Sequence, residues 1–93
     1  MKNIIRKKIP LPEMMAGLAE EATELAQAAL KLRRVWDQTN PTPTPEDYAL
    51  SSLYEEIADV QLYISMLDLN HSAITAMMHD KMERWLKRLE EKK

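Results

Sequence analysis

The chain has 93 residues, a formal net charge of −2, 45% hydrophobic residues, one Gly and no Cys. A chain of this length makes one domain at most, near the small end of what folds alone, so an oligomer is a natural way to complete its core. The missing cysteines exclude disulfides and thiolate metal sites. The near-balanced charge excludes a general polyanion binder, and no stretch approaches the roughly 20 apolar residues of a membrane span.

Leu, Met, Ala, Ile, Glu and Lys dominate, a helix-forming alphabet that predicts an all-α protein, read as cytoplasmic. Residues 1–11 read as a loose basic lead-in with Lys2, Arg6, Lys7 and Lys8. Lys87, Arg88, Lys92 and Lys93 close the chain, and both basic ends read as solvated tails rather than a nucleic-acid surface. Residues 12–93 form the helical domain, opened by Pro12 in a first-turn position. Met14, Leu18, Glu21, Leu25, Ala28, Leu32 and Val35 recur at three- and four-residue intervals, which predicts a long helix over 13–37.

Pro41, Pro43 and Pro45 end that helix. Thr44 is placed as the N-cap of the second helix, with Pro45 at its first position and Asp47 three residues beyond the cap. Leu50, Leu53, Ile57, Val60, Ile64 and Leu67 make its stripe, and Leu62, Met66 and Leu69 widen the apolar surface. Asn70, His71 and Ser72 make a short turn. A third helix over 72–91 presents Ile74, Met77, Met78, Met82, Trp85, Leu86 and Leu89 inward. Three helices on short links are expected to pack up-down-up.

Two acidic clusters stand out against these stripes. Glu20 and Glu21 precede Glu24 on the first helix, and Glu55 and Glu56 precede Asp59 on the second. The pairs Glu21/Glu24 and Glu56/Asp59 each project from one side of a helix. Glu21 occupies a core position between Leu18 and Leu25, where a carboxylate is costly unless paired or bound to metal. Folding the chain at Pro41 brings both pairs to one height at about 1.5 Å per residue. Reflection at the second turn adds Lys81 and Arg84 at a similar level. That constellation suits Mg²⁺, which prefers carboxylate oxygens and leaves positions for phosphate oxygens; a water deprotonated by a neighbouring carboxylate would then attack phosphorus. The competing reading is a solvated acidic face, with Lys81 and Arg84 a solvated basic edge pairing with Glu83. Tyr63 and Trp85 are the aromatics best placed by height to stack on a base, although helical aromatics are more often core. No Glu lies three positions before His79, so the ferritin-like di-iron pattern is absent.

Residues 18–32, LAEEATELAQAALKL, and 53–63, LYEEIADVQLY, resemble the two signature segments of MazG-like all-α nucleoside triphosphate pyrophosphohydrolases. Glu21, Glu24, Glu56 and Asp59 match that family's Glu-x-x-Glu and Glu-x-x-Asp pattern, and Asp80, Lys81 and Arg84 resemble its weaker basic motif. The resemblance covers roughly residues 13–90 and departs at the proline-rich insert, which separates the motifs more widely than usual. It implies Mg²⁺-dependent cleavage (Mn²⁺ a possible substitute) of a (d)NTP to (d)NMP and pyrophosphate, a nucleotide house-cleaning activity. It also implies a homo-oligomer, dimer or tetramer, in which antiparallel helical hairpins complete a four-helix-bundle-type core. The four matching carboxylates would bind metal, Glu20 or Glu55 would act as outer ligand or base, and Lys81 and Arg84 would contact phosphates. The alternative is a non-catalytic helical interaction module of the same fold.

Overall fold

The computed structural model describes residues 1–92, which form four α-helices and no strand: α1 (Lys2–Lys8), α2 (Leu11–Trp36), α3 (Glu46–Met66) and α4 (His71–Glu91). Among the described residues, helices α2 and α3 form the one extensively packed pair. Their contacts fix an antiparallel hairpin. Lys31 lies 5.8 Å from the ring centre of Tyr48 near the connection, while Gly17 meets Tyr63 at the far end. The predicted stripes face each other. Met14 and Leu32 of α2 are buried, as are Ala49 and Met66 of α3 and Leu67 just beyond it.

That core is small. Fully burying a Leu or Met is worth roughly 1.5–3 kcal/mol, and only five apolar residues are buried among the described residues. The protomer is correspondingly outstretched, with a radius of gyration of 17.2 Å. A compact domain of this length would have about 12 Å.

Three expectations are corrected here. The lead-in is not loose: Lys2–Lys8 is helical, and Arg6 donates from Nε to the Met66 carbonyl and from Nη2 to the Ser65 carbonyl, both at 3.1 Å. Those carbonyls belong to the last turn of α3, where a cation complements unpaired acceptors and the helix dipole. Second, α3 begins at Glu46 with Pro45 itself as N-cap, and Thr44 makes no capping bond. The Thr44 hydroxyl instead accepts from Asn40 Nδ2 at 3.1 Å and so braces the proline loop.

Third, the up-down-up packing of three helices does not occur within the chain. α4 starts as expected, with Asn70 Oδ1 accepting from the Ala73 amide at 3.0 Å. Yet α4 has no buried residue, and Met77, Met82 and Trp85 are about 60% exposed. The α2–α3 hairpin already covers its own stripe, so the apolar face of α4 has no counterpart in the same chain.

Gly17 earns its place by contact rather than by backbone angle. A Cβ there would lie 2.7 Å from the Tyr63 hydroxyl, and the Tyr63 ring packs against the Met14, Met66 and Leu67 cluster. Ala within a helix normally gains about 0.5–1 kcal/mol over Gly, but overpacking costs about 1–3 kcal/mol. Gly17→Ala is therefore expected to lower the melting temperature by several degrees in a thermal melt; an increase would show that Tyr63 swings aside freely.

Candidate metal centre between α2 and α3

The antiparallel hairpin brings the two acidic clusters together. Carboxylate oxygens of Glu21, Glu24 and Glu56 all lie within 4.8 Å of one another. Glu21 and Glu56 are half-buried because each sits on the α2–α3 seam, whereas Glu24 is exposed at its edge. One oxygen of Glu21 and one of Glu56, Oε2 in each case, are removed from solvent and have no hydrogen-bond partner. Buried polar atoms without partners are rare, and each calls for a missing proton, water or ion.

The local electrostatics are those of crowded like charges. Loss of solvent pushes the Glu21 carboxyl up from 4.5 to about 7, reinforced by proton sharing with Glu24 and by the charges of Glu24, Asp59 and Glu56. Glu56 is raised as well, first by loss of solvent and then by the charges of Glu24 and Asp59, with Glu55 adding to them. No cation relieves this crowding. Among the described residues the only ion pairs are Arg33–Asp37 and His79–Glu83, both elsewhere.

The linkage has a definite sign. Glu21 ionises near 4.5 in the unfolded chain but only near 7 in the fold. The unfolded state therefore loses its proton first, and the contribution of Glu21 to stability is full below pH 4.5 and lost by about pH 7. Chemical denaturation in chelator is expected to show this decline, and Glu21→Gln to flatten it. An unchanged slope in the variant would mean that Glu21 is not the crowded group.

The remaining expected site residues fall in two groups. Asp59 lies outside the 4.8 Å group but acts on both Glu21 and Glu56, and lines a cavity with Glu21 and Tyr63. Glu20 and Glu55 are exposed at the margins of the cluster, open to solvent on the outer side of their helices. Lys81, Arg84 and Trp85 are not brought to the cluster: all three are exposed on α4, and none lines that cavity. Equal height along the sequence did not become proximity, because α4 does not fold back on the hairpin. Trp36 donates from Nε1 to Glu46 Oε1 at 3.1 Å and Tyr48 sits by Lys31, so both aromatics are engaged at the loop end.

A second group, His79, Asp80 and Glu83, also places ligand atoms within 4.8 Å of one another, but all three are exposed. Ile5 and Ile9 line the same cavity as Glu21 and Asp59, and Arg6 holds their helix on α3; the sequence marks Arg6 only as one of four basic residues and gives no sign of the two isoleucines.

Comparisons with protein families, curated proteins and solved structures find no match. No helix among the described residues is long and apolar enough to cross a membrane.

The donor set at the seam fits a hard divalent cation. It offers carboxylate oxygens only, two of them shielded and unpartnered, which is the ligand chemistry that Mg²⁺ and Mn²⁺ prefer.

Proposed function

We propose that this chain is a Mg²⁺-dependent pyrophosphohydrolase of MazG-like type, cleaving a nucleoside triphosphate to the monophosphate and pyrophosphate in the cytoplasm. The observation that carries the reading is the convergence of Glu21, Glu24 and Glu56 with two shielded oxygens that nothing in the protomer satisfies. Mn²⁺ is the expected substitute ion.

In this reading Glu21, Glu24, Glu56 and Asp59 hold the cation. The ion, when bound, supplies Lewis acidity and offsets phosphate charge. The chain's own contribution is placement: the hairpin fixes the carboxylates on two stiff helices, so little ordering is left to be done on binding. Glu20 or Glu55, exposed beside that set, takes in this reading the part of outer ligand or base.

Phosphate charge also calls for cations, and the candidates matched by height along the chain, Lys81 and Arg84, stand on α4. Closure of α4 against a second copy would cover Met77, Met82 and Trp85 and finish a four-helix-type core. A homo-oligomer, dimer or tetramer, is therefore part of the proposal. Trp85 would then serve as an aromatic contact near substrate, alongside Tyr63.

The decisive experiment is hydrolysis of a panel of NTPs and dNTPs with and without Mg²⁺, with the products resolved. Monophosphate and pyrophosphate appearing only with the cation supports the enzyme. Complete inactivity with every nucleotide favours the second reading, a helical interaction module, for which the open face of α4 is the specific support.

A further inference from the structure

Helix α1 poses a physical question that the carboxylate cluster does not answer. Seven residues with no buried side chain cannot hold a helix alone, since isolated helices shorter than about 12–15 residues are marginal in water. Its anchor is the Arg6 guanidinium on the Ser65 and Met66 carbonyls. That grip places Ile5 and Ile9, each 36% exposed, along one wall of a cavity of about 260 Å³. The opposite walls are Leu62 and Tyr63 of α3, and the polar end is made by Glu21 and Asp59.

The cavity thus combines apolar side chains from α1, α2 and α3 with two carboxylates of the acidic cluster, Glu21 and Asp59. Its volume is slightly below the roughly 300–1,000 Å³ of pockets that enclose a drug-sized ligand. A single ring system with its sugar fits that space; a whole triphosphate does not. A ligand with a flat apolar end and a phosphate end would seat the first against Ile5, Ile9 and Tyr63 and direct the second to the carboxylates. Aromatic rings stack on bases whatever their sequence, because every base has a π-face.

We propose that α1, pinned by Arg6, is the outer wall of a compartment that receives the nucleoside end of the substrate, with Ile5, Ile9, Leu62 and Tyr63 as its contacts. Arg6 is a positioning residue here: it touches main-chain carbonyls and holds the wall in place. The identity of the ligand rests on the proposed function, whereas the compartment itself rests on the cavity and its anchor.

The test is binding of free nucleosides, which carry no phosphate and need no cation. The full-length chain in chelator is titrated with a panel of purine and pyrimidine nucleosides to tens of millimolar, monitored by methyl NMR. Shifts at Ile5 and Ile9 with at least one nucleoside are expected. Ile9→Trp, which fills the cavity from a half-exposed position, is expected to weaken binding on the order of tenfold. Arg6→Gln is expected to weaken it likewise, with partial recovery in Arg6→Lys, while the backbone amide shifts of Glu21, Glu24 and Glu56 on Mg²⁺ addition in chelator-free buffer stay those of the native chain.

No methyl shift with any nucleoside overturns the inference, as does nucleoside binding that Ile9→Trp leaves unchanged. The triphosphate assay on the same protein separates the two ideas. Hydrolysis without nucleoside contact at α1 removes the compartment alone, and nucleoside contact without hydrolysis removes the enzyme alone.

Discussion

Glu56→Gln is expected to reduce Mg²⁺-dependent hydrolysis on the order of 100-fold or more, since even outer-shell partners of a metal are commonly worth 10–100-fold. The same substitution is expected to stabilise the protein in chelator at neutral pH. Glu56 is crowded by Glu24, Asp59 and Glu55 and has a shielded oxygen without a donor. A neutral amide removes one of those charges and offers a donor to Glu24. The two readouts therefore move in opposite directions, activity down and apo stability up, which general damage to the fold cannot imitate. Parallel rate assays and chelator melts check it, and a variant that retains the native rate would end the metal-centre reading. Mg²⁺ added to the native protein should raise its melting temperature near pH 8, because the ion binds the folded state alone. The effect should fade toward pH 4.5, where Glu21, raised to about 7, holds its proton and Glu56 is shifted in the same direction.

The second large effect is expected on α4. Leu86 is 58% exposed in the protomer and lies on the same face as Met82 and Leu89. If a second copy covers that face, each Leu86 buried is worth roughly 1.5–3 kcal/mol, and a two-fold symmetric dimer counts it twice. Leu86→Glu removes that gain and places a charge in the contact. The dissociation constant is then expected to rise by two to four decades, each decade being about 1.4 kcal/mol. Sedimentation should report multiples of 10.8 kDa for the native chain and 10.8 kDa for the variant. A native chain that sediments as the monomer would remove the oligomer from the proposal.

Much of this architecture was legible in the amino-acid order, for a physical reason. The stripes through Met14 to Val35 and Leu50 to Leu67 mark faces that must be covered, and a hairpin with a short link lets each cover the other. Glu21 was conspicuous because a carboxylate in such a stripe needs an explanation, and it lies on the seam with Glu24 and Glu56. The stripe on α4 was equally legible, but periodicity shows that a face exists without saying which chain covers it. The same limit governs Lys81, Arg84 and Trp85, whose equal height brings them to the cluster only where α4 packs against a hairpin. Helix α1 leaves no signature because seven residues offer too few turns for a period to emerge, and Thr44 reads as a cap because its hydroxyl has two uses in a proline loop.

The hold of Arg6 on Ser65 and Met66 has an evolutionary corollary. A guanidinium that reads only peptide oxygens is indifferent to which side chains those two positions carry. Residue 65 can therefore drift without loosening the bond, while Met66 is held by its own burial in the core, and no paired substitution with Arg6 would betray that α1 is fastened to the end of the third helix.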